Sequence, residues 1–198
     1  SLFPQMKENK TPEEAAAFVN YWADQGFISF KAYMGIDKPA LKAAIDAAHQ
    51  KKLKITGHLD IVTYHEAAAL GIDNLEHGFI ASTDFVMNKK ENEAPGSGSA
   101  IKSLGNLDIK SDSVKQFIQF LINKKTGITS SLAVFEGFTT TQPRPDREAM
   151  NAMSPDARNF YLQRFASVKS VTGPTDWDKA FIKAAKMEKL FFDMGGLL

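Results

Sequence analysis

Cysteine is absent from the 198 residues. That excludes disulfides, thiolate metal sites and a cysteine nucleophile. A strong charge of either sign is lacking too: 24 Lys and Arg stand against 23 Asp and Glu, a formal net charge of +1. Such a balance creates no field that would gather nucleic acid or an anionic membrane surface, so neither is expected as a partner. No apolar run approaches the roughly 20 residues that span a bilayer. No leader pattern opens the chain, and Ser1-Leu2-Phe3-Pro4-Gln5 carries no initiator Met, which leaves the compartment open. What is present is an ordinary globular mixture, 43% hydrophobic and 24% charged, long enough for one domain.

Local signals alternate between helix and strand. Thr11-Pro12-Glu13-Glu14 reads as a helix start, with Thr11 as cap, Pro12 at the first helical position and Glu14 completing a capping box. That helix should stop near Gly26. Residues 27–34 form a short apolar run closed by Gly35, which predicts a strand buried on both faces. Asp37-Lys38-Pro39 opens a second helix, in which Leu41, Ala44, Ile45 and Ala48 share one face. Strands are expected at 53–58, 72–77 and 127–134, and helices at 63–70, around Val114–Leu121 and from Trp177 through Phe191, ending in Gly195-Gly196. The segment 84–112 reads as a polar surface insertion and 136–172 as a lid-like excursion with a short helix near 154–166. Strands alternating with helices imply an α/β fold with a parallel sheet.

Three residues sit at equivalent places in this rhythm. Lys31 lies late in the first strand, and His58 and His77 each close one. They are 27 and 19 residues apart, about one strand–helix unit each. The C-terminal ends of parallel barrel strands converge on one face, so the three side chains would share one space. Neutral imidazole binds zinc and similar divalent ions. A lysine ammonium has no free lone pair, but burial in the run Phe-Ile-Ser-Phe-Lys-Ala-Tyr-Met would lower its pKa and free the amine. The amine could then add carbon dioxide to give a carbamate. Taken singly, each residue also has a structural or solvated reading; the repetition across successive strands is what argues for a site.

The stretches Phe27–Gly35, Ala47–Leu59 and Ala69–Phe79, above all Gly-Ile-Asp-Asn-Leu-Glu-His-Gly, resemble the amidohydrolase superfamily, in its imidazolonepropionase-like and Xaa-Pro dipeptidase-like branch. The likeness is tight over residues 11–83 and looser over 113–135 and 177–198. It implies a distorted (β/α)8 TIM barrel, of which this chain would supply approximately strands 4 to 7 with their helices as one partial domain, 1–198. Lys31 would match the carboxylated lysine of the fourth strand, and His58 and His77 the metal-binding histidines of the fifth and sixth. Two divalent metals, zinc foremost, would activate a hydroxide against an amide C–N bond, in a dipeptide or acylated amino acid.

The departures set limits. Nothing matches the first-strand His-any-His pair or the eighth-strand aspartate, so no catalytic residue is assigned and one metal at most is expected. Gly195-Gly196-Leu197-Leu198 looks like the entry to an eighth strand, and the chain is expected to be a piece of a longer protein or a partial gene. The expected partners are a small-molecule or dipeptide substrate and the remainder of the barrel, or a second copy in a homo-oligomer. Lactone hydrolysis and deamination stay open, as do a catalytically silent fragment with a structural or associative role and a metal-free barrel using Gly195-Gly196 to bind phosphate.

Other residues carry weaker signals. Tyr33 shares the Lys31 face and is a candidate substrate contact. Glu76, next to His77, should turn to the opposite face by strand alternation and act as a structural partner. Ser130 and Ser131 lack an obvious base. His49 and His65 read as helix-end and surface residues. One of Arg144, Arg147, Arg158 and Arg164 could hold a substrate carboxylate.

Overall fold

The structure, a computed structural model, describes residues 6–198. Thr11 caps α1 (Pro12–Asp24) by accepting from the Glu14 amide at 3.2 Å. The second half of the expected capping box is directed elsewhere: Glu14 accepts from the Lys10 amide at 2.8 Å. α2 (Lys38–Gln50) is capped by Asp37 and buries Leu41, Ala44, Ile45 and Ala48 as its 3.6-residue pattern requires. α3 (Tyr64–Leu70) has a full capping box from Thr63 and Glu66 and ends at left-handed Gly71.

Between these helices run β1 (Ser29–Ala32), β2 (Lys54–Gly57), β3 (Asn74–Glu76) and, further on, β4 (Gly127–Thr129). All pair in parallel, in the order β1-β2-β3-β4. The architecture is therefore α/β around a four-stranded parallel sheet. Its two faces differ. Phe30, Ala32, Ile55, Leu75 and Ile128 point into the core shared with the helices. Ser29, Lys31, Thr56, Asn74, Glu76 and Thr129 occupy the other face. There Asn74 Nδ2 donates to Thr56 Oγ1 at 3.0 Å and to Thr129 Oγ1 at 2.9 Å.

This two-sidedness corrects the expectation that β1 is buried on both faces. Its residues alternate between exposed and buried, and Phe27 and Ile28 before it are exposed. Continuous burial needs helices on both faces of a sheet, and here the core lies on one. β4 also ends earlier than expected, since residues 132–136 turn into α6 (Leu132–Glu136) and Val134 is exposed. In the segment 84–112, α4 (Ser97–Gly105) packs on the last helix with Ala100, Ile101 and Leu104 buried. Three apolar residues in a polar stretch are too short a stripe to announce a helix. α5 (Asp112–Asn123) buries Val114, Phe117, Ile118 and Leu121.

Residues 137–172 carry α7 (Arg147–Ala152) and α8 (Pro155–Lys169), neither with a buried residue. They are tied to α9 (Asp176–Asp193) through Asp178, which accepts from the Thr140 amide at 2.7 Å and the Thr175 amide at 2.6 Å. α9 ends in a Schellman motif: Gly195 is left-handed, its amide donates to Phe192 O, and the Gly196 amide donates to Phe191 O. That role removes Gly195-Gly196 as a phosphate loop. Leu197 O then accepts from the Ile128 amide along the outer edge of β4. Among the described residues no helix is long and apolar enough to cross a membrane.

Tyr64, fully buried at the start of α3, reaches across to the end of β3. Its hydroxyl contacts Glu76 O at 2.7 Å and Gly78 O at 3.0 Å, one carbonyl on each side of His77. Tyr64→Phe leaves both carbonyls without this donor. The expected loss is about 1–3 kcal/mol, the usual cost of unsatisfied buried polar groups. Urea denaturation reads it as a lowered midpoint at constant slope; a midpoint equal to the parent's would refute the role.

Candidate functional site

The C-terminal ends of the strands bring the expected residues together. Lys31 projects from the polar face of β1. His58 follows β2 directly, its amide donating to Ala32 O at 3.1 Å, and strand alternation carries it to the same side as Thr56. His77 follows β3, and alternation alone would turn it towards the core. Its backbone is left-handed instead, with φ 71°, and this brings the ring back beside His58. Histidine is among the few non-glycine residues that adopt this conformation with some frequency. The two imidazole centroids lie 4.3 Å apart at 72°, and Tyr33 presents its ring edge-on to His58 at 5.0 Å.

Glu76 belongs to this group, against the expectation that it faces away. It is the last residue of β3, on the face opposite Leu75, and its carboxylate forms an ion pair with Lys31. Glu76 Oε2 lies 3.9 Å from His77 Nε2. Counting backwards from Leu75 as a core residue would have found it; counting from His77 could not, because the left-handed turn breaks the alternation. Ser131 is the second addition. Its Oγ lies 3.1 Å from His77 Nδ1, so the serine does have an imidazole neighbour.

The expected burial of Lys31 is not found: its side chain is 43% exposed and salt-bridged. Lys31 is instead paired with the Glu76 carboxylate. Burial pushes the His58 imidazole down to about 4, helped by His77 and Lys31 and opposed by Glu76. Burial and Lys31 likewise lower His77, against Glu76. Both rings are neutral near pH 7 and have lone pairs to offer. Among the described residues, however, no group of three or more His, Asp or Glu side chains is placed to hold a metal ion.

The remaining candidates lie apart. His49 bonds Asp73 at 2.9 Å, and Lys54 pairs with the same carboxylate at the N-terminal ends of the strands. His65 stacks on Phe120 at 4.0 Å. Arg164 covers the Phe138 ring at 3.9 Å, Arg158 donates to Met153 O, and Arg144 and Arg147 are exposed.

No protein-family model and no curated protein matches the chain. Its fold is similar to that of a "putative prolidase" from Bifidobacterium longum, at 14% identity and a TM-score of 0.49, over 96% of this chain and 39% of that one. It is also similar to an uncharacterised protein, at 13% identity and a TM-score of 0.48, over 95% of this chain and 37% of that one. The chain thus spans about two fifths of the length of each.

A lowered imidazole pKa means the folded chain binds fewer protons than the unfolded chain between pH 6.5 and about 4. The His58 contribution to stability is then complete above pH 6.5 and is lost as pH falls towards 4. An NMR titration should leave His58 neutral well below pH 6.5. A His58 midpoint at or above 6.5 would contradict the buried, cation-flanked environment.

Proposed function

We propose that the chain is an arc of a (β/α)8 barrel carrying part of a metal-dependent hydrolase centre directed at an amide bond, in a dipeptide or acylated amino acid. The observation that carries this reading is the meeting of two neutral imidazoles, Lys31 and a carboxylate at the C-terminal ends of adjacent parallel strands. The uninterrupted order of parallel strands, each followed by helix, supports the barrel. The sequence resemblance at Lys31, His58 and His77 supports the hydrolase.

The donor set fits one divalent ion, such as zinc, if Lys31 is carboxylated. His58 and His77 supply nitrogen, and the carbamate of Lys31 would supply an oxygen in place of an ammonium that cannot ligate. Carboxylation also reverses the charge of Lys31, so its pairing with Glu76 must break. A bound divalent ion supplies Lewis acidity towards a carbonyl and lowers the pKa of water. Tyr33, edge-on to His58, is positioned to line the substrate side.

A second reading is favoured by one specific observation. Lys31 is engaged by Glu76, and among the described residues no three-residue His/Asp/Glu group is placed to hold a metal. A catalytically silent arc with a structural or associative role has the same geometry.

Cobalt(II) titration with and without bicarbonate separates the two. The metal reading expects one cobalt per chain, tighter binding with bicarbonate, and loss of about tenfold or more in affinity in His58→Ala and His77→Ala. Binding indifferent to both substitutions would leave the silent arc as the function.

A further inference from the structure

Ser131 stands out among the helix caps. Thr11, Asp37, Thr63, Ser111, Asp146, Ser154 and Thr175 each accept from an amide of the helix they begin. Ser131 opens α6 and makes no such bond. The Leu132 amide is served by Ser130 Oγ at 3.4 Å instead. The Ser131 hydroxyl is thereby left for His77 Nδ1, at 3.1 Å.

The other side of the ring is different. His77 Nε2 faces the Glu76 carboxylate at 3.9 Å, beyond hydrogen-bond distance, and the Lys31 ammonium already sits on that same oxygen. A proton on Nε2 would point at a carboxylate neutralised by a cation. A proton on Nδ1 has an acceptor in place.

We propose that Ser131 is a positioning residue: its Oγ accepts the Nδ1 proton of His77 and so presents the Nε2 lone pair to the space shared by Lys31, Glu76 and His58. This rests on the metal-hydrolase reading for its purpose, since a ligating histidine commonly donates its other ring N–H to a fixed acceptor. It does not rest on that reading for its existence.

The test has a metal-free arm and a metal arm. Long-range 1H–15N correlation spectra of the metal-free chain, with His77 assigned from His77→Gln, read which ring nitrogen carries the proton above pH 7.5. The parent and Ser131→Thr, which keeps the hydroxyl, are expected to show Nδ1–H, and Ser131→Ala a shift towards Nε2–H. Cobalt(II) affinity should fall about 10–100-fold in Ser131→Ala and recover in Ser131→Thr. An Nε2–H tautomer in the parent overturns the proposal, as does a tautomer unchanged in Ser131→Ala. Labelling of Ser131 by a fluorophosphonate would overturn it too, by making the serine a nucleophile. Should the parent bind no cobalt while the tautomer pattern holds, the metal reading fails and the Ser131–His77 bond stands.

Discussion

One hydroxyl, that of Tyr64, holds the turn on which the candidate site depends. β3 is only three residues long and ends at Glu76. If it continued, His77 would point into the core and the two imidazoles would not meet. The left-handed backbone at His77, continued by Gly78, prevents this, and a non-glycine residue holds that conformation only where its surroundings fix it. Tyr64, itself without exposed surface, meets the carbonyl before His77 and the carbonyl after it. The hydroxyl is thus anchored by α3 and delivers its restraint to the end of a neighbouring strand.

The underside of the same turn is filled by α9. A Cβ on Gly78 would meet Glu188 Oε1, and the φ of 62° suits glycine, so a larger residue here would be strained and would have to displace the Glu188 side chain. Glu188 is 3% exposed, and Oε1 has no hydrogen-bond partner. Burial raises the pKa of this carboxyl, against a contact from Ser130. The raised pKa reflects the cost of a buried carboxylate with an unpartnered oxygen. α9 therefore contributes to the site through its packing against the 78–81 turn, although none of its residues faces the imidazoles.

Much of this was legible in the sequence, for reasons that differ by residue. Lys31 and His58 obey period-two alternation, so their placement follows from finding the strands. The caps at Thr11, Asp37 and Thr63 and the glycine stop after α9 are local rules and appear where local chemistry puts them. The face of Glu76 cannot be counted from His77, because the left-handed turn there is braced by Tyr64, thirteen residues earlier in the chain. Ser131 was invisible as a partner because its neighbour is 54 residues distant. The exposure of Lys31 is hidden in the sequence because an apolar run suggests burial of every residue, while the sheet buries one face only.

The restraints on the four site residues are unequal, and that inequality bears on how such a site could work. His77 is held at its backbone by Tyr64 and at its ring by Ser131. His58 is packed between Tyr33 and His77. Lys31, by contrast, is 43% exposed and kept in place by a charge alone, and a partly exposed ion pair is worth little in water. The imidazoles are therefore the rigid members and Lys31 the adjustable one. On the proposed reading this is the needed division. The nitrogen donors must be placed before a metal arrives, whereas Lys31 has to leave Glu76 and exchange an ammonium for an anionic oxygen donor. On that reading the Lys31–Glu76 ion pair competes with the metal-binding state and is not a part of it.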